Sequence, residues 1–156
     1  MKNLMTKEGF EELSKNLKRL ETTARHSIAK EIEVAREHGD ISENAEYQYA
    51  KDKQGLNEGK ITQIREFLAN AEVVSHSADA QTDTVIFGSR VKLLNCETDV
   101  EKAYRLVGET ESNIKEGKIN FKSPLGRAAL GKQIGDDFEL ETPSGVQYWE
   151  ILDIGF

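Results

Sequence analysis

The chain of 156 residues has one cysteine, Cys96, only two prolines, and an aromatic share of 7%. A single thiol excludes an internal disulfide framework and any multi-cysteine zinc or iron–sulfur site, and it suits a reducing, cytosolic compartment. No uninterrupted apolar run exceeds three residues, as at Val85-Ile86-Phe87 and Ala128-Ala129-Leu130. Neither a membrane helix nor the apolar centre of a secretion signal can be drawn from such runs. There is no Ser/His/Asp arrangement, glycine-rich phosphate loop or zinc spacing, and His26, His38 and His76 are scattered without a partner pattern. Length admits one domain or two small ones. Apolar residues make up 37% and charged residues 31%, so the composition favours solvent-exposed helix over the core of a large barrel.

The net charge of −7 repels nucleic acid on average and gives no case for autonomous, sequence-specific nucleic-acid binding. Its distribution says more. Residues 1–36 carry eight Lys/Arg against six Glu, whereas residues 37–46 hold Glu37, Asp40, Glu43 and Glu46 with no basic residue. Residues 47–78 balance at four of each sign, and residues 79–156 carry nine basic against fourteen acidic.

The chain changes character near residue 75. Before it there is no proline and glycine occurs only at positions 9, 39, 55 and 59; after it come eight glycines and both prolines. In the first part Phe10, Leu13, Leu17, Leu20 and Ala24 recur by threes and fours, and Ile28, Ile32 and Ala35 continue the stripe with a small phase slip. A second stripe runs through Tyr47, Ala50, Gln54, Asn57, Ile61, Ile64, Leu68 and Ala71. Between the stripes, Gly39 suits a left-handed helix end and Asp40 suits the cap of the next helix. Folding near residue 41 pairs positions whose numbers sum to about 82, such as Leu17 with Ile64 and Ile32 with Ala50. The expectation is an antiparallel coiled-coil hairpin over 1–76, with its acidic apex near 39–44 and a thin waist where Gln54 and Asn57 enter the seam.

Residues 77–156 read as short alternating strands around one helix, at 90–95, 103–107, 118–121, 138–142 and 147–154. Thr142-Pro143-Ser144-Gly145 forms the last turn, and Ser123-Pro124 opens the helix as N-cap and first helical proline. Trp149, Phe138, Leu140, Ile151 and Leu106 are the expected core. The fold class is therefore α+β, a helical hairpin followed by a small antiparallel sheet with one helix.

The chemistry that remains is Asp40 and Glu43 at the apex. Two hard oxygen donors can complete the shell of a Mg²⁺ ion held elsewhere, though they cannot form a full cage. The same pair also fits a capping box, with Asp at the N-cap and Glu at the third helical position. Lys51, Lys53 and Lys60 fit either a phosphate-facing patch or an ordinary solvated helix face.

Ala35-Arg36-Glu37-His38-Gly39-Asp40-Ile41-Ser42-Glu43-Asn44-Ala45-Glu46-Tyr47, continued by Gln54-Gly55 and Glu58-Gly59-Lys60, resembles the tip signature of the bacterial Gre transcript cleavage factors, nearest the GreA branch. Ser123 to Lys132, with Gly135-Asp136, is similar to the second signature of that family. The resemblance implies a carboxy-terminal lobe like the FKBP-type prolyl isomerases and a hairpin that enters the secondary channel of RNA polymerase. There Asp40 and Glu43 would act catalytically in trans, sharing Mg²⁺ with the polymerase to cleave backtracked RNA. It further implies that Ser123 and Pro124 dock on the channel rim and that the chain itself is not an enzyme; Lys51 and Lys53 are the candidate RNA-facing patch by their pattern alone, and the few basic residues after the apex point to limited RNA contact. Ser42, Asn57 and Trp149 depart from the common family pattern. Two other classes remain open on the residues alone: a prolyl isomerase or chaperone, and a plain coiled-coil adaptor.

Overall fold

The computed structural model describes residues 2–39, 44–77 and 79–156. Helix α1 (Lys7–Arg19), a π-helical turn at Leu20–Ala24 and α2 (Arg25–Glu37) form one continuous rod, and α3 (Ala45–Ala69) returns antiparallel to it. The phase slip in the first stripe has its physical form in the π-turn. Steps of four at Leu20, Ala24, Ile28 and Ile32 carry one residue more than a heptad allows, and a π-turn absorbs one residue per insertion.

Ion pairs confirm the register. Arg25 meets Glu58 through two bonds of 2.8 and 2.9 Å, Lys53 meets Glu31 at 3.2 Å, and Arg65 meets Glu21 at 2.5 Å. The Arg25 guanidinium holds the Glu58 carboxyl below its usual range, chiefly through their hydrogen bonds. Ala35, Ala50, Ile61 and Leu20 are buried along the seam. Asn57 is buried at the waist as well, and its side-chain amide donates 3.1 Å to the Leu20 carbonyl at the start of the π-turn. The buried amide is thus satisfied across the seam, where an unpaired one would be costly.

The second body contains Glu72–Phe156 and also the first nine residues of the chain, while the helical body is Phe10–Ala71. A boundary drawn at residue 76 does not anticipate this division. The reason is long-range pairing: β1 (Asn3–Thr6) forms a two-stranded sheet with β2 (Ala71–Val74). Glu111 then fixes the strand's end. Its carboxylate accepts from the Thr6 amide at 3.0 Å, from the Thr6 hydroxyl, and from the Gly108 amide at 3.0 Å. Thr6 in turn caps α1, accepting from the Gly9 amide at 3.1 Å. Gly108 has no room for a side chain, because a Cβ there would overlap the Leu4 carbonyl oxygen.

Five strands complete this body in the order β5-β4-β3-β7-β6: β3 (Arg90–Asn95), β4 (Glu101–Val107), β5 (Lys118–Asn120), β6 (Asp137–Thr142) and β7 (Gly145–Gly155). The sheet is mixed, not antiparallel throughout, since β4 and β5 run parallel. The ten residues between them, with two 3-10 turns at Glu109–Glu111 and Ile114–Glu116, carry the chain back to start β5 alongside β4. Leu106, Phe138, Trp149 and Ile151 are buried in the core with Val85, Val91, Leu93, Ile119, Ala129 and Ile154, and Leu140 packs half-buried against them. Helix α4 (Pro124–Ala129) covers one side. A Cβ at Gly126 would lie 2.6 Å from the Asn120 carbonyl oxygen, so the glycine sets how closely α4 approaches.

Candidate functional site

Asp40 and Glu43 lie outside the described residues, as do Ile41 and Ser42. The flanks that present them are defined. Helix α2 ends at His38, whose amide donates 3.3 Å to the Ala35 carbonyl, and Gly39 takes a φ of 112° that favours glycine. On the other side, Asn44 caps α3. Its side-chain oxygen accepts from the Glu46 and Tyr47 amides at 3.0 and 3.1 Å. Its side-chain nitrogen donates 2.6 Å to the Ala35 carbonyl of the opposite helix. One asparagine thus satisfies the first turn of α3 and ties it to the end of α2.

Asn44, not Asp40, is therefore the cap of α3, which starts at Ala45. The signal was in the sequence, since Asn stands with Asp and Ser among the best N-caps, but the Asp-x-x-Glu spacing drew the cap four residues too early. Glu37 and Glu46 flank the apex as exposed side chains, and Glu46 sits 3.8 Å from His38.

Lys51 is exposed and donates 2.9 Å to Gln54. Lys53 is engaged within the hairpin, with its Nζ 3.2 Å from Glu31 and 5.1 Å from the centre of the Tyr49 ring. An exposed pair of this kind is worth about 0–1 kcal/mol, so Lys53 can exchange its partner for a phosphate at little cost. Tyr49 itself is 64% exposed. Val34, Ala35, Ala50 and Tyr49 line a shallow apolar groove of about 380 Å³ close to the apex.

In the other body Ser123 caps α4, its hydroxyl accepting from the Gly126 amide at 3.1 Å, and Pro124 takes the first helical position. Both also border an apolar groove of about 450 Å³ with Tyr104, Ile114, Leu125 and Pro143. Ile114 is 78% exposed there. Capping and a role at a contact surface are therefore compatible at these two residues. Among the described residues no group of three or more His, Cys, Asp or Glu could hold a metal ion. No helix among them is long and apolar enough to cross a membrane.

Comparison with known proteins places both bodies. Residues 3–73 match the family described as transcription elongation factor, N-terminal, and residues 80–156 match transcription elongation factor, GreA/GreB, C-term. The transcription elongation factor GreA of Beijerinckia indica is 44% identical over 152 residues, 97% of this chain and 96% of its own. That of Nautilia profundicola is 46% identical over 150 residues, covering 96% and 92%. The crystal structure of Thermus aquaticus Gfh1 aligns over 99% of both chains at 24% identity and a TM-score of 0.45, too low to add to the argument. On the two family matches and the near full-length identity to curated relatives, the chain belongs to the GreA/GreB family of transcription elongation factors.

Proposed function

We propose that this protein acts on bacterial RNA polymerase during elongation and stimulates cleavage of backtracked RNA by the polymerase's own active site. The hairpin carries Asp40 and Glu43 through the secondary channel to the RNA 3′ end. Both are hard carboxylate donors, the type Mg²⁺ prefers, and two such groups complete a shell that the polymerase begins. The ion, when bound jointly, would supply Lewis-acid stabilisation and an activated water. This chain's part is to deliver negative charge at a fixed height, to hold the apex on a capped helix pair, and to bring Lys51 and Lys53 close to the RNA backbone. Ser123 and Pro124, at the lip of an apolar groove, meet the rim of the channel.

The observation that carries the reading is the Asn44 cap. With the first turn of α3 and the end of α2 joined by one asparagine, the two carboxylates are not needed to start the helix. Their presence in a ten-residue stretch holding four acids and no base calls for another role. The test is addition of the protein to stalled elongation complexes. Wild type shortens the RNA from its 3′ end, and Asp40→Asn or Glu43→Gln lowers that stimulation by at least about 100-fold while polymerase binding stays within severalfold. Full stimulation by both variants removes the acidic pair from the mechanism.

A further inference from the structure

Across the five-stranded sheet, Arg90 of β3 stands directly opposite Arg105 of β4, and Arg105 opposite Lys118 of β5. Their neighbours Val91, Leu106 and Ile119 enter the core, so the three cations share the face turned away from it. Like charges placed opposite on a sheet repel and destabilise it. The chain compensates only part of the row: Lys118 is 3.3 Å from Glu116, and Arg105 Nη2 is 3.2 Å from Glu8. Arg90 makes no ion pair or side-chain hydrogen bond among the described residues. Arg105 Nε is buried and has no acceptor. A buried N–H without a partner costs about 1–3 kcal/mol, and such a group in a folded protein calls for an unseen water or ion.

Beside this arginine pair is a cavity of about 250 Å³, walled by Glu8, Ser75, His76, Gly88, Arg90 and Arg105. The His76 ring stacks on Phe156 at 4.3 Å and closes one side. We propose that the cavity binds a phosphate group, held by Arg90 and Arg105. Glu8 occupies one guanidinium nitrogen of Arg105, while the five donors of Arg90 have no partner among the described residues. Ser75 and His76, from the segment after β2, line the cavity as well, so polar residues border it from more than one element. That arrangement fits a tetrahedral oxyanion better than a planar carboxylate, which one guanidinium fork satisfies alone. The volume takes a phosphomonoester head and excludes a duplex.

The test uses the full-length chain at constant ionic strength, with inorganic phosphate, adenosine 5′-monophosphate and acetate as probes and chloride as the reference. Thermal unfolding and the side-chain Nε–H signals of arginine in NMR are the readouts. Phosphate and the nucleotide are expected to raise the melting temperature saturably and to shift the Arg105 Nε–H signal, and acetate is expected to do neither. Arg90→Gln or Arg105→Gln weakens binding at least tenfold. Glu8→Gln, which removes a competing anion, tightens it. Lys92→Gln on the same face, where Lys92 is paired to Glu101 at 3.1 Å, leaves it unchanged. Arg90 is exposed, so its variant remains informative if Arg105→Gln does not fold. Nucleotide binding tenfold tighter than inorganic phosphate identifies a phosphomonoester as ligand, and equal binding identifies the free ion. An acetate response equal to that of phosphate, or an Arg90→Gln response equal to that of wild type, overturns the proposal.

Discussion

Asn57 shows how one side chain can be poor as a hydrophobe and necessary as a donor. It occupies a seam position where the heptad pattern asks for an apolar group, and its amide is buried against the Leu20 carbonyl. Replacing Asn57 by Ala removes this buried cross-helix hydrogen bond, at a cost of about 0.5–1.5 kcal/mol. The expected result is a hairpin that unfolds several degrees earlier by circular dichroism, with α4 and the sheet unaffected. Unchanged melting would mean that water or relaxation of the π-turn replaces the bond. Asn44 belongs to the same class of residue. Its two roles could be foreseen singly, since Asn before a helical run is a good cap. The cross-helix bond to Ala35 could not, because it needs both helix ends in place.

At the level of elements, the hairpin was the most legible part of the sequence. Its stripes are local, and pairing positions that sum to about 82 agrees with the Arg25–Glu58, Lys53–Glu31 and Arg65–Glu21 contacts. The phase slip was visible as three successive steps of four; the π-turn that accommodates it was not, because spacing does not distinguish a π-turn from a gently unwound coil. The strands from Arg90 onward were placed within a few residues by their alternation and by the Thr142-Pro143-Ser144-Gly145 turn. The parallel edge pair escaped, since strand direction depends on how ten intervening residues fold.

The length of the hairpin is itself testable. Deleting His26–Ile32 together with Ala50–Leu56 removes seven residues from each helix at facing heights. The deletion keeps the Arg25–Glu58 pair, the Asn57 bond and the Asn44 cap; it removes Glu31, Lys53 and Lys51 together, so a full-length variant with Lys51→Gln and Lys53→Gln is the control that separates reach from RNA contact. At 1.5 Å per residue the apex withdraws by about 10 Å, four times a Mg²⁺–oxygen or Ca²⁺–oxygen distance of about 2.5 Å or less. A folded, polymerase-binding protein without cleavage stimulation is expected. Retained stimulation in an RNA-shortening assay would show that reach is not what the rod provides.

For the whole molecule, β1 was missed for a reason that concerns topology more than residue type. Asn3-Leu4-Met5-Thr6 is too short to announce itself, and its partners stand at Ala71–Val74 and at Glu111. The helical body is thus an insertion between the first strand and the rest of its sheet-bearing body. It follows that residues 77–156 alone lack β1, β2 and the Thr6–Glu111 bonds, whereas a chain in which a short flexible loop replaces residues 10–71 retains Glu111's partners. The second protein is expected to unfold cooperatively, and the first to melt lower or not to fold, as read by tryptophan fluorescence of the buried Trp149. Equal stability of the two would assign β1 no part in holding that body together.

The bond from Thr6 to Glu111 spans 105 positions, and a ribosome reads the chain in one direction. At about 5–20 residues per second, Thr6 emerges on the order of 5–20 s before the carboxylate that secures it. During that interval the helical hairpin, a compact unit over residues 10–71, can close by itself. It brings β1 back to β2 while the remaining strands are still unmade. The newborn chain can therefore close its hairpin before its larger sheet, and the hairpin then acts as a splint that keeps the first strand at hand until the last ones arrive.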